Sequence, residues 1–573
     1  MTQAACMSSD RAISRFLPIA EWWSECSPRT DIFAGIALAG LLIPQAMAYA
    51  GIAGVPPQMG LYAALAGLFI YAILGTSRQL VVSATSSSAA MLAALISPIS
   101  ANDQSRYTVL ASAAAIAVGL ILLAGGFLNL GSASEFISKP VLKGFVFGLA
   151  LTIIVKQGHK FLGISDGKGN FFHQAWHMIT SLGEIRVWTV VTGAAALVIM
   201  YLLAAVAPRV PGALVVLVIG TLAAAWFHLE QRGVEVLGTM HASVPSLSWP
   251  KLGEDEAADL FMGAIGIALV LMAEALTAGR TFAAKHNYDL NPNQELCALG
   301  CANVASGLIG GIVVGGGMSG TAANDAGGAR TQLSAITASV SVALTLAFLL
   351  PAIRNLPQAV LAAIVIKAVA GLADVPTLRY YARLRSGSIW GSLIALVAVL
   401  QMGILKGLIL AVALTLIVLM RKLSKPQDSV LGRLKVSGDF VDIARYPEAK
   451  QIPGLLLFRP NGILFFANAN RIHKRVRDLV KQADVSLNTV VLSLETSPEI
   501  DVTSLEMLQE LRNELKSMGT ELWLARVAEP ARDLFNRSGF LQVLGDRSIF
   551  GSVEAAAGAF LHKSYSAAQA FSA

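Results

Sequence analysis

The sequence predicts a polytopic α-helical membrane protein with a soluble α/β domain at its C-terminal end. Three observations carry this. Of 573 residues, 55% are hydrophobic and 14% charged, and the mean hydropathy is +0.63, outside the range of soluble domains. Apolar runs of bilayer-spanning length, about 20 residues each, recur from Asp31 to about Arg421. Near Leu423 the composition then turns polar, and short apolar runs begin to alternate with segments of helical period.

The first thirty residues are polar, with a short amphipathic piece, AISRFLPIAEWW, and lack the basic, apolar and cleavage regions of a signal peptide. The net charge of +7 does not point to nucleic acid, because the cations sit at segment ends: Arg29, Arg78, Lys139, Lys143, Arg209, Arg280, Lys285, Arg330, Arg379, Arg383, Arg385, Arg421 and Lys422. With a cytoplasmic N-terminus and about fourteen crossings, all of these fall on the cytoplasmic face, as does the C-terminal domain. The expected location is therefore a cell (inner) membrane, with lipid as the surrounding partner.

The polar stretch His228 to Asp259 reads as an extracytoplasmic loop between two halves of roughly seven crossings each. An odd number inverts the second half relative to the first. Inverted repeats place a substrate site at the midplane, where short or broken segments of the two halves meet. In the first half the candidate is LVVSATSSSAAM, Leu80 to Met91, which Pro98 ends before a full crossing. In the second it is GGIVVGGGMSGTAANDAGGARTQ, Gly310 to Gln332, interrupted by Gly315, Gly316 and Gly317. Ser83 and Thr85 are expected to open the first half-helix, Ser319 and Thr321 the second. Hydroxyl residues cap helices, and a helix start carries about +0.5 of a charge. Two facing starts make an anion seat.

Beyond Leu423, SKPQDSVLGRLKVSGDFVDI reads as a connector. LLLFRPNGILFFAN, TVVLSLE and ELWLARV read as strands, and RIHKRVRDLVKQAD, SLEMLQELRNELKSMG and PARDLFNRSG as helices. The expected boundaries are 1–30 for an N-terminal segment, 31–423 for the membrane domain, 424–440 for a linker and 441–562 for the soluble domain.

Several side chains stand out. Glu274 lies deep in FMGAIGIALVLMAEALTAG, where a carboxylate is costly unless protonated, paired or facing a polar cavity. Gln45 and Tyr49 follow Pro44 on one helix face at i, i+4, with Met47 and Tyr62 less clearly placed. Lys367 is read as reaching to the interface. HQAWH, His173 to His177, has metal-compatible spacing but no third ligand, and no metal is expected. GISDGKGN has the wrong spacing for a phosphate loop. Cys6, Cys26, Cys297 and Cys301 form no disulfide framework. No catalytic constellation is present, and the chain reads as a non-enzyme without organic cofactor.

DIFAGIALAGLLIPQAMAYAGIAGVPPQMGLYAALAGLFIYAILGTSRQL, AEALTAGR and NPNQELCALGCANVASGLIGG closely resemble the SulP anion permeases, whose animal relatives include prestin and the chloride/bicarbonate exchangers. PGLLLFRPNGILFFANAN and SPEIDVTSLEMLQEL resemble a STAS domain. The similarity spans about residues 30 to 560. It implies fourteen segments in two inverted seven-segment repeats, core and gate domains, an elevator motion and a homodimer, with a cytoplasmic STAS domain open to a protein partner. It also implies an anion between the third and tenth segments, hence at Ser83, Ala84, Thr85, Met318, Ser319, Gly320 and Thr321, with Gln45 and Tyr49 facing it. Glu274 aligns with an acidic residue beside the anion in proton-coupled members, and Thr503 with a phosphorylation site of soluble STAS relatives. Asp501 or Thr503 alternatively only caps the following helix.

Charge arithmetic extends this reading. Two helix starts supply about one positive charge, enough for bicarbonate and one short for sulfate or a dicarboxylate, and an ionised Glu274 subtracts another. Anion and proton binding should therefore favour each other, giving proton symport, with sodium the alternative coupling ion. Many relatives carry Arg where this chain has Gly320, which weakens the case for sulfate and favours a monovalent anion. The rival readings are a passive anion channel and an anion sensor signalling through the STAS domain.

Overall fold

In the computed structural model the described residues are 27–572, apart from 101–102, 132–138, 166, 168, 208–209, 239–246, 248, 251, 350–353, 372, 384–387, 426, 436 and 484. The amphipathic N-terminal piece, Cys6, Cys26, Lys168, Arg209 and Arg385 lie outside them. The first half contains α1 (Pro28–Ala53), α2 (Pro57–Leu74), the two-residue strand β1 (Val82–Ser83), α3 (Ser86–Ile96), α4 (Gln104–Phe127), α5 (Lys139–Leu162), α6 (Phe171–Thr180), α7 (Val187–Val206) and α8 (Gly212–Trp226). The second contains α9 (Glu254–His286), α10 (Pro292–Leu308), β2 (Gly315–Gly316), α11 (Met318–Ala326), α12 (Leu333–Leu344), α13 (Gln358–Ala370), α14 (Val375–Arg383), α15 (Ser388–Met402) and α16 (Ile404–Ser424).

Among the described residues seven helices are long and apolar enough to cross a bilayer, joined by four shorter apolar ones. With the amphipathic α6 and α14 set aside, each half supplies seven membrane segments, the expected inverted repeat. Chain chemistry explains the boundaries. Pro28 and Pro57 sit in the first turns of α1 and α2, where a missing N–H costs nothing, and Gly54 ends α1 with φ 77°. At 11 and 9 residues, α3 and α11 are too short to span alone.

Packing sorts the segments into two groups. α1 packs on α2 and α12, and α4 on α9 and α10; separately, α5 packs on α13 and α15, and α7 on α8 and α13. The α4–α10 crossing is a backbone contact. A Cβ on Gly119 would stand 2.7 Å from the Gly300 carbonyl oxygen, and one on Gly300 would stand 2.8 Å from that of Gly119. Small residues substitute here for the hydrophobic drive that lipid removes. α1 also touches α8 and α13, so the seam between the two groups runs along it.

A separate compact unit begins at Leu416. It is built on a six-stranded sheet, β4-β3-β5-β6-β7-β8: β3 (Asp428–Arg433), β4 (Phe440–Asp442), β5 (Leu455–Pro460), β6 (Thr489–Ser493), β7 (Glu521–Ala525) and β8 (Ile549–Phe550). β5 to β8 run parallel, and β6 is buried on both faces, as its unbroken apolar run requires. Helices α17 (Ala469–Lys481) and α18 (Val502–Ser517) cover one face through Ile472, Val476, Leu508, Leu511 and Leu515. α19 (Glu529–Arg537) and α20 (Phe540–Leu544) add Phe535 and Phe540 to that core, while α21 (Val553–Ser572) covers the other face with Phe560 against Trp523. Two expectations need correction. The stretch read as a connector supplies β3 and all of β4. The strand expected through ILFFAN stops at Pro460, where Asn461 and Gly462 bend the chain.

Candidate functional site

The two shortened helices are held start to start. β1 and β2 pair antiparallel, Val82 with Gly316 and Ser83 with Gly315, and the Gly317 amide donates to the Val81 carbonyl at 3.3 Å. Buried side chains fix the surrounding loops. Asn303 bonds both backbone groups of Val314 at 2.9 Å, Asn324 donates to the Gln79 carbonyl at 3.1 Å, and Gln332 donates to those of Ser77 and Leu80 at 2.7 and 2.9 Å. The glycines are required by α9 behind them. A Cβ on Gly316 would lie 2.8 Å from that of Ala275 and 3.0 Å from its Cα. Gly316→Val should therefore separate β2 from α9, seen as a lower unfolding temperature and lost anion binding.

The capping differs from expectation. Thr85 alone caps α3: its hydroxyl accepts from the Ser88 amide at 3.1 Å, and the Ser88 hydroxyl accepts from the Thr85 amide at 3.0 Å. Ser83 lies in β1 and donates to the Ala84 carbonyl at 3.2 Å. α11 begins after Gly317, with no side-chain cap. Thr321 does not face the site. It is fully buried, and its hydroxyl accepts from the Val81 amide at 3.1 Å and donates to the Gly317 carbonyl at 2.7 Å, tying α11 to β1. The amides of Ser86, Ser87, Met318, Ser319 and Gly320 have no protein acceptor among the described residues. First-turn N–H groups cannot bond within their helix, so both starts present free donors. Thr85→Ala removes one cap and is expected to cost about 1 kcal/mol, read as a lower thermal midpoint and weaker anion binding.

These starts face a cavity of about 310 Å³ on the seam between the helix groups. Gln45, Tyr49, Ser83, Ala84, Thr85, Glu274, Met318, Ser319 and Gly320 all line it, which brings together every candidate site residue except Thr321 in this part of the chain. Ser87, unremarked in the sequence, donates to Glu274 Oε2 at 2.8 Å and shares a 3.0 Å contact with the Thr85 hydroxyl. The opposite wall is α5 and the turn after α13: Leu142, Lys143, Val146, Gly371 and Asp374. Lys143 Nζ lies 2.9 Å from Asp374 Oδ2, and Asp374 also accepts from the Thr377 amide and hydroxyl at 3.1 and 2.6 Å. Positions 143 and 374 carried no sequence signal beyond a charge at a segment end, and their pairing is set by folding across 231 residues. The site thus offers ten or so converging polar groups in a pocket sized for a small ligand, with backbone amides for an anion and one carboxylate beside them.

Other candidates resolve differently. Met47 and Tyr62 line a second cavity. Lys367 donates to the Met200 carbonyl at 2.6 Å and lies 5.2 Å from the Tyr201 ring centroid. His177 stacks not with His173 but near His159, ring centroids 5.7 Å apart, and no group of three metal-ligating residues occurs among the described residues. In the soluble unit Asp501 caps α18, accepting from the Ser504 amide at 2.8 Å and the Phe466 amide at 2.7 Å. Burial works against its charge, but these bonds outweigh it and hold the Asp501 carboxyl below its ordinary range. Thr503 is exposed at the second position of that helix.

Fold and site together define a class: an inverted-repeat membrane protein of transporter architecture, with a helix-start seat between its halves and a C-terminal STAS domain. The chain belongs to the sulfate permease family, whose model matches residues 29–398, and the STAS model matches residues 446–556. It is 36% identical over 532 residues to a probable sulfate transporter of Mycobacterium tuberculosis, covering 93% of this chain and 95% of the relative. Its fold matches the murine Solute Carrier 26 family member A9 anion transporter in the inward-facing state, with TM-score 0.88, 20% identity and 96% and 95% of the two chains covered. It also matches the transmembrane domain of a cyanobacterium bicarbonate transporter, BicA, with TM-score 0.59, 23% identity and 68% and 96% covered.

Proposed function

We propose that the chain is a secondary active transporter of a small anion, sulfate, bicarbonate or a dicarboxylate, taken up with a proton through Glu274. The observation that carries this reading is the pair of helix starts with unbonded amides in one cavity with a carboxylate. The starts contribute about one positive charge between them, and the Lys143–Asp374 pair adds none. An anion then sits best when Glu274 is neutral, and by linkage a bound anion favours the protonated carboxyl. Anion and proton load together.

The mycobacterial relative's name supports sulfate, and Gly320 in place of a cation supports a monovalent anion such as bicarbonate. A location in the cell membrane, with the Lys143 end of α5 and the STAS domain cytoplasmic, follows from the positive-inside bias. The seam between the two helix groups suits an elevator motion, and a homodimer is the assembly the resemblance implies. Domain boundaries near residues 30, 423 and 440 and a regulatory role for Thr503 belong to the same reading.

Purified protein in proteoliposomes tests it. An inward pH gradient should accumulate labelled sulfate or bicarbonate above equilibrium. A channel would only equilibrate the label, and a sensor would bind it without flux; either result overturns the symport reading.

A further inference from the structure

The same seam holds a second, larger cavity of about 730 Å³, at the other end of α5. Lys143 lines the first cavity and Lys160 this one. Seventeen residues of helix separate them, about 26 Å along the axis. α13 repeats the arrangement, with Gln358 and Leu361 at the second cavity and Gly371 just beyond its end at the first. On α1 the two cavities approach each other: Gln45 and Tyr49 line one, Met47 and Gly51 the other.

The chemistry of the second cavity is one-sided. Among the described residues its lining contains no Asp or Glu. Lys160 Nζ donates to the Gly51 carbonyl at 3.4 Å, in contrast to Lys143, which has a carboxylate. Glu235 lies in an adjoining smaller cavity that Lys160 also lines, where Arg186 Nη1 pairs with it at 3.4 Å. Around Lys160 stand four amide side chains, Gln58, Gln104, Gln157 and Gln358. Gln104 is anchored on the Gly54 carbonyl at 3.1 Å. Gln157 is only 4% exposed, and its side chain makes no hydrogen bond to protein among the described residues; the unbonded buried atom of Gln58 is its carbonyl Oε1, an acceptor. The Gln157 amide is therefore left for a polar visitor to the cavity. A cation whose cavity wall carries no carboxylate among the described residues, with the unbonded Gln157 amide on the same wall, selects a negative visitor.

We propose that this cavity is a second anion subsite, with Lys160 as its charge and Gln157 as its amide donor, so that the anion has a separate station on each side of the barrier formed by α1. The inference rests on the transporter reading for its purpose but not for its chemistry. Lys160 receives the anion at the end of α5 opposite Lys143, whose charge Asp374 cancels. Sidedness is the result: Lys160 controls the apparent affinity from its own end, and the free helix starts control it at the other.

The test reads binding without flux. In full-length protein with Cys6, Cys26, Cys297 and Cys301 replaced by Ala, Gln104→Cys places a thiol in the cavity wall, and its rate of modification by a small methanethiosulfonate is followed. Sodium sulfate and sodium bicarbonate are compared with sodium gluconate at equal ionic strength. At least one of the two should slow labelling, and Lys160→Gln should raise the concentration needed by about tenfold, while Lys160→Arg should restore it. Should Lys160→Gln not fold, Gln157→Ala carries the same direction of change. Labelling that neither anion slows, or protection unchanged in Lys160→Gln and in Gln157→Ala, overturns the subsite. Protection retained in a protein that shows no flux would leave the subsite standing and sink only the transport reading.

Discussion

Glu274→Gln is expected to abolish accumulation driven by a pH gradient while leaving anion exchange intact. The substitution preserves shape, and the new amide oxygen can still accept from the Ser87 hydroxyl, which lies 2.8 Å from the natural carboxylate. What it removes is the capacity to bear a charge. A like charge about 5 Å from a bound anion costs on the order of 3 kcal/mol at an effective dielectric of about 20, roughly a hundredfold in affinity. Wild-type protein should therefore bind its anion progressively less well as pH rises and Glu274 ionises. The variant should bind with a flat pH profile at the level of the protonated protein. Labelled-anion uptake into proteoliposomes, measured with and without a pH gradient and again as exchange, separates the two. A variant that still concentrates anion with the wild-type pH dependence would remove the proton from Glu274.

Glu295→Ala should be the most damaging single change for stability. This carboxylate, at the start of α10, is fully buried and accepts four hydrogen bonds: from the Tyr71 hydroxyl at 2.6 Å, the Thr76 amide at 2.7 Å, the Thr76 hydroxyl at 2.6 Å and the Ser77 amide at 3.1 Å. It clamps the loop leading from α2 into β1. Removing it leaves four donors without an acceptor, two buried and two on half-buried Thr76, each buried one costing about 1–3 kcal/mol if unrelieved, so a loss of about 3–5 kcal/mol is expected after relaxation. Thermal unfolding in detergent reads the loss directly. Glu295→Gln, which retains one acceptor oxygen but brings two donors, should fall between wild type and Ala. Unchanged midpoints in both variants would show that the clamp contributes little.

Much of this molecule could be read before folding was considered. Apolar runs, helix breakers and serine-rich stretches are local features, and they locate the broken segments; the resemblance then brings them together. The finer choices are not local. SATSSS offers several residues able to cap, and the extended backbone of Thr85, φ −119° and ψ 161°, is what selects it. Thr321 looks like a helix-opening hydroxyl, yet its oxygen is consumed by Val81 and Gly317. Glu295 in NPNQELC looks like an ordinary first-turn acid, and only the loop 218 and 219 residues away reveals its task. Lys143, Asp374 and Lys160 gain meaning from which end of a cavity they occupy, a property of the assembled seam rather than of their neighbours in sequence.

The two-residue ladder between β1 and β2 joins positions 82–83 to 315–316, so half of the anion's cradle does not exist until more than three hundred residues have been synthesised. A nascent chain halted in the loop between the repeats would hold α3 with nothing opposite it, and a protein cut there should regain ligand only when both fragments are produced in the same cell. The ladder also fastens the two seats to each other, so under the proposed elevator motion the cradle would move undivided past the wall bearing Lys143.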